Sequence, residues 1–137
     1  MSQLIVITSQ SAEEPVYRQV ARQIREMIAF GGLPPGYRLP PVRTLASDLG
    51  VNLNTVARAY RVLEQEGFVR ICGRSGVEVA APGSSPAGDE AAPRLRDSLR
   101  EVLARLRQKG LGLEELRELA LREIGSLPPI QKLEKIP

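Results

Sequence analysis

The sequence predicts a mainly α chain with a small β wing: a winged helix-turn-helix followed by a C-terminal two-helix dimerisation hairpin. Three observations carry this. Apolar residues recur at three- and four-residue steps in several separate blocks, the period of helices with one buried side. The stretch "LPPVRTLASDLGVNLNTVARAYRVLEQEG" sets two such blocks on either side of Gly50. Directly after it, "FVRI" and "VEVA" are strand-like pieces joined by "CGRSG", a hairpin signal.

The elements follow in order. "LIVIT" at residues 4–8 is β-branched and reads as a short strand. "SAEEPVY" offers a helix start, with Ser11 or a neighbour as cap, Glu13 and Glu14 near it, and Pro15 in the first turn. Val16, Val20, Ile24, Met27 and Ile28 form the buried stripe of that helix, and "FGGLPPG" ends it. Val42, Leu45, Ala46 and Leu49 make a second, short stripe. Gly50 sits where a helix turns off in left-handed conformation, and Val51 re-enters the core. Val56, Ala59, Tyr60, Val62 and Leu63 make the third stripe, which stops at Gly67. The organisation expected is a winged helix-turn-helix domain over 1–80, a Pro/Gly/Ser-rich linker over 81–93, a helical hairpin over 94–126 and a mobile tail over 127–137.

Composition narrows the function classes. The chain has 137 residues, 42% hydrophobic and only 4% aromatic, with no Trp. Its core is therefore expected to be aliphatic. The formal net charge of +3 fits a polyanionic partner, as it fits many soluble proteins. Cys72 is the sole cysteine and His is absent. That leaves no intrachain disulfide, argues against a zinc site of ordinary ligands, and fits a reducing compartment. No apolar run reaches the ~20 residues of a membrane span, and the cytoplasm is the expected location. No "GxxxxGK" phosphate loop is present, and the acids fall beside basic residues as on solvated helix faces. No enzyme and no cofactor is expected.

The third helix carries the most chemistry. Its start, "NLNT", has small polar groups, and no acid occurs from Val51 to Leu63. An acid there would repel phosphate. Asn52 and Asn54 are short amides of the kind that pair with adenine in a major groove, while Asn52 also suits an N-cap. Arg58 and Arg61 supply charge; Arg58 is a DNA contact or a partner of Glu64 or a neighbour. Tyr17 and Tyr60 lie at stripe spacing and read as core. Cys72 reads as a small buried apolar residue. Arg18, Arg22 and Arg25 line one face of the first helix and read as solvated.

Over residues 15–80, the pattern "PxYxQxxxxI", then "LPPGxxLPxVRxLAxxLGVNxNTVxxAYxxLExEG", then a Gly-containing wing, resembles the GntR-family DNA-binding domain. Within it, the short YtrA-like branch is the better match. The resemblance implies a bacterial transcription regulator that binds double-stranded operator DNA. It places contacts on Arg43 and Thr44, on Asn52, Asn54, Thr55 and Arg58, and on wing residues Arg74, Ser75 and Gly76, with Arg38 just before the motif as a phosphate contact. The chain departs from the family pattern at four positions. Pro41 stands where a capping Ser is usual. Leu53 and Ala57 stand where several branches have Arg, and Glu78 stands where the wing usually has an aromatic.

The distal leucines call for a partner surface, since two helices of this length cannot bury them between themselves. Leu95, Leu99, Val102, Leu103 and Leu106 have near-heptad spacing. Leu113, Leu116, Ala120 and Ile124 form a second stripe. A homodimer is the simplest reading, and no deep ligand pocket is expected within one subunit. The leading function is a sequence-specific DNA-binding regulator, a repressor by analogy, acting on a palindromic operator. The alternative is a winged-helix protein-interaction adaptor, which salt-dependent duplex binding would separate from it.

Overall fold

The computed structural model describes residues 14–73, 76–83 and 91–129. The elements are α1 (Val16–Ala29), β1 (Arg38–Leu39), α2 (Val42–Leu49), α3 (Leu53–Gln65), β2 (Val69–Ile71), β3 (Val77–Val79), α4 (Ala91–Gln108) and α5 (Leu113–Gly125). The strand expected at 4–8 and the cap at Ser11 lie outside the described residues.

Helix α3 packs against both α1 and α2 and continues into the sheet. The core combines Val20, Ala21 and Ile24 of α1, Leu45 and Ala46 of α2, and Val56, Ala59, Tyr60 and Leu63 of α3. Leu39, Val69, Val77 and Val79 close it from the sheet. Each large aliphatic side chain so buried stabilises the fold by about 1.5–3 kcal/mol.

The sheet has three antiparallel strands in the order β1-β3-β2, one more than the hairpin expected. Two residues of β1 are too few for an alternating pattern to show in sequence. Val77 and Val79 point inward and Glu78 outward, which is the period of a half-buried strand.

Other boundaries shift for identifiable reasons. Pro15 is the N-cap of α1 rather than part of its first turn, and its carbonyl accepts the N–H groups of Arg18 and Gln19 at 3.0 and 3.2 Å. The buried Gln19 side chain donates from Nε2 to the Glu14 carbonyl at 2.9 Å, fixing the chain just before the helix. Helix α4 begins at Ala91 rather than residue 94. Pro93 falls in its first turn, where a missing N–H removes no intrahelical bond.

Tyr60 links α3 to the start of α2: its buried hydroxyl donates to the Pro40 carbonyl at 2.5 Å. Burial holds the phenol well above its ordinary pKa, so it remains a donor. Tyr60→Phe leaves that carbonyl without its partner. The expected result is a loss of about 1–2 kcal/mol in denaturant unfolding, with the fold retained. An unchanged midpoint would remove this bond from the account.

Helices α4 and α5 form an arm that meets itself chiefly near its turn. Leu103, Leu106, Leu116 and Leu119 are half-buried there. Farther out, Leu95, Leu99 and Ile124 are 67%, 58% and 61% exposed, and Ala120 is exposed too. Of the expected tail, Pro128 and Pro129 border a cleft shared with Ile28, Leu33 and Phe68, and residues 130–137 lie outside the described residues. Among the described residues, no helix is long and apolar enough to cross a membrane.

Candidate nucleic-acid interface

The turn between α2 and α3 is set by one glycine and one asparagine. Gly50 adopts φ 67° and its N–H points to the carbonyls of Ala46 and Ser47. A left-handed backbone there favours glycine, because a Cβ would crowd the following carbonyl. The Val51 N–H then bonds the Ala46 carbonyl at 3.1 Å. Asn52 caps α3, its Oδ1 accepting the Asn54 N–H at 2.7 Å. One lone pair of that oxygen is engaged by the cap, and the amide NH2 and the second lone pair are what Asn52 has left to offer a ligand.

Helix α2 starts differently. Pro41 occupies its N-cap at φ −58° with no side-chain cap, so its first N–H groups face outward without a protein acceptor from the cap residue. Arg43 and Thr44 are exposed beside them. On α3, Asn54 and Arg58 are exposed, Thr55 is half-buried, and Leu53 is 44% exposed. Arg43 and Thr44 thus stand exposed at the start of α2, and Asn52 and Asn54 at the start of α3. Neither first turn holds an acid. The same is true of α1 and α4, whereas α5 begins with Glu114 and Glu115. Lack of acid alone therefore does not mark a reading helix; here it is joined to exposed amides and arginines.

Arg58 does not pair with Glu64. Its guanidinium carbon lies 3.9 Å from the centroid of the Tyr17 ring, within the range of a cation–π contact. Glu64 instead accepts the Ile71 N–H through Oε2 at 2.9 Å, fastening β2 to α3. Tyr17, expected in the core, is half-buried: it packs on the core and supports Arg58 from outside it. Its hydroxyl accepts from Arg18 Nε at 3.2 Å. That hydrogen bond lowers the phenol's pKa, against desolvation, with the charges of Arg18 and Arg58 adding to it. Arg22 and Arg25 are engaged by Glu14 and Glu66 at 2.9 and 2.6 Å, in keeping with a solvated, ion-paired face.

The wing holds a charge row that sequence reading missed. Glu78 on the central strand stands opposite Arg38 on β1 and Arg70 on β2. Arg70 hydrogen-bonds the Glu78 carboxylate. This bond lowers the Glu78 pKa, against desolvation, with the charges of Arg70 and then Arg38 adding to it. Glu78 thus replaces an aromatic with a cross-strand ion row, and Arg38, just before the motif, lies in strand β1. The signal was present in the alternation of "FVRI", which turns Arg70 outward when Val69 is buried. Gly76, at φ 95°, accepts the Cys72 N–H at 2.7 Å and donates to Gly73 at 3.1 Å, closing the wing. Cys72 is half-buried rather than a core residue, its Sγ 3.7 Å from the Arg70 carbonyl. Arg74 and Ser75 lie outside the described residues.

A three-helix core with a left-handed glycine between its second and third helices, a basic polar face on their starts and a β wing defines a winged helix-turn-helix DNA-binding domain of a transcription regulator. The chain belongs to the GntR family: residues 16–79 match the family described as "Bacterial regulatory proteins, gntR family". It is 30% identical over 112 residues to the HTH-type transcriptional repressor YtrA of Bacillus subtilis, covering 82% of this chain and 85% of that one. It is 48% identical over 69 residues to the HTH-type transcriptional regulator Rv1152 of Mycobacterium tuberculosis, and this chain spans 57% of that relative's length. Among solved structures, YtrA from Sulfolobus acidocaldarius superposes at TM-score 0.56 with 40% identity, over 74% of this chain and 98% of that one. The DNA-binding domain of AraR, solved in complex with operator ORX1, superposes at TM-score 0.50 with 26% identity, over 55% and 93%. The family is one of transcriptional regulators and not of enzymes.

Proposed function

We propose that the chain acts as a homodimeric repressor on a palindromic operator. The observation that carries this reading is the exposure of Arg43 and Thr44 at the start of α2 and of Asn52 and Asn54 at the start of α3, with Thr55 half-buried next in the chain. Seated in a major groove, Asn54 pairs with a base edge while Arg43 reads a guanine or holds a phosphate. The N–H groups at the start of α2 meet the backbone, and Arg58 adds charge one turn farther along α3. Arg38, Gly76 and the wing residues Arg74 and Ser75 flank the neighbouring groove. The exposed leucines of α4 and α5 seat a second copy, with Leu95, Leu99, Val102, Leu103 and Leu106 facing Leu113, Leu116, Ala120 and Ile124 across the pair of arms. A two-fold pair presents its reading helices to half-sites about 34 Å apart. Occupancy of a promoter then blocks transcription. The repressor relative YtrA and the operator-bound AraR domain support this direction.

The test starts from duplexes selected out of a random pool by the full chain. Binding to the selected site is expected to weaken with salt at a slope of about −0.9 per phosphate contact. Arg43→Ala is expected to cost about 1–3 kcal/mol and to relax preference at one base pair of each half-site. No duplex enriched from the pool, or an Arg43→Ala titration that overlays the parent's, rejects the reading; the first result favours a protein-binding adaptor.

A further inference from the structure

We propose that Tyr17, on the first turn of α1, is a positioning residue for DNA binding. Its ring holds the Arg58 guanidinium in one place on the outer face of α3. This inference rests on the DNA-binding reading above. Arg58 is exposed and makes no ion pair among the described residues. A long exposed arginine without a partner sweeps a wide shell, and ordering it on binding costs conformational entropy. Here the guanidinium carbon sits 3.9 Å from the Tyr17 centroid, the tightest of the cation–ring contacts. A flat guanidinium stacked on a ring keeps its edge N–H groups outward, available to a phosphate or a base edge.

The platform is itself fixed. One side of Tyr17 packs against the buried core, and its hydroxyl accepts from Arg18 Nε at 3.2 Å. Arg18 also lies over the same ring, its guanidinium carbon 5.9 Å from the centroid. Two positive groups therefore converge on one aromatic at the seam of α1 and α3. Of the acids bordering the adjacent cleft, Glu14 is bonded to Arg22 and Glu66 to Arg25. The seam gathers charge that a passing phosphate backbone would neutralise, and α1 contributes to recognition through its side chain's hold on α3.

A double-mutant cycle on the selected operator tests this with the full chain. Tyr17→Leu keeps apolar volume and removes the ring; it is expected to weaken binding about threefold to fivefold, the worth of one cation–π contact. In an Arg58→Ala background the same change is expected to have no effect. Tyr17→Phe, which keeps the ring and drops the Arg18 bond, is expected to bind like the parent. Arg58→Lys, which keeps charge and loses the flat stack, is expected to bind more weakly. Equal losses from Tyr17→Leu with and without Arg58 would overturn the proposal, since a merely structural tyrosine behaves that way. So would an Arg58→Ala chain that binds like the parent. If Tyr17→Leu melts early, Tyr17→Phe and Arg58→Lys decide the matter alone: the first must bind normally and the second must not. A parent chain that selects no duplex sinks the DNA-binding reading itself, whereas a binding parent with an additive cycle sinks only the role of Tyr17.

Discussion

Leu99→Asp is expected to turn the proposed dimer into a monomer and to lower affinity for the proposed two-site operator by about 10²–10⁴-fold, the advantage that a second linked site confers. Leu99 lies on α4 between Leu95 and Val102, is 58% exposed in the single chain, and has no role in the core of the winged domain. In a two-fold seam the substitution enters twice and places two carboxylates among apolar side chains. Desolvating that charge is far more costly than losing one leucine. Each half-site would then be filled by an independent protomer. Sedimentation should give the mass of one chain, while melting of the winged domain stays unchanged. A surviving dimer mass would move the seam elsewhere on the arm.

Leu45→Ala is expected to be the most destabilising of the substitutions considered, at about 2–5 kcal/mol. Leu45 is fully buried in the middle of α2, within the cluster that also contains Val56 and Tyr60 of α3. Truncation leaves a void between the two helices that must keep their starts in register. Against a typical stability of about 5–15 kcal/mol, that loss brings the domain close to its unfolding threshold. Urea unfolding followed by circular dichroism measures it; a loss under about 1 kcal/mol would mean the neighbouring chains collapse into the void. Operator binding should fall only where the unfolded fraction becomes appreciable.

Much of the fold was legible because its signals are local. The stripes at Val20–Ile24, Leu45–Ala46 and Val56–Leu63, and the left-handed Gly50, follow from periodicity and from one residue's freedom at positive φ. The Asn52 cap was legible for the same reason. What stayed hidden depends on distance along the chain. The two residues of β1 acquire meaning only when β3 lies beside them. Arg58 offered two readings, and neither included Tyr17, because a pairing between residues 17 and 58 is set by how α1 crosses α3. Glu78 looked anomalous in a wing until its neighbours on both sides proved to be arginines.

That row has a bearing on how the wing meets nucleic acid. Arg70 is bonded to the Glu78 carboxylate and Arg38 stands opposite the same residue on β1, so the wing carries its own counter-ion. On the DNA-binding reading proposed above, a carboxylate so placed weakens sequence-blind attraction to the phosphate backbone and leaves selectivity to the start of α3.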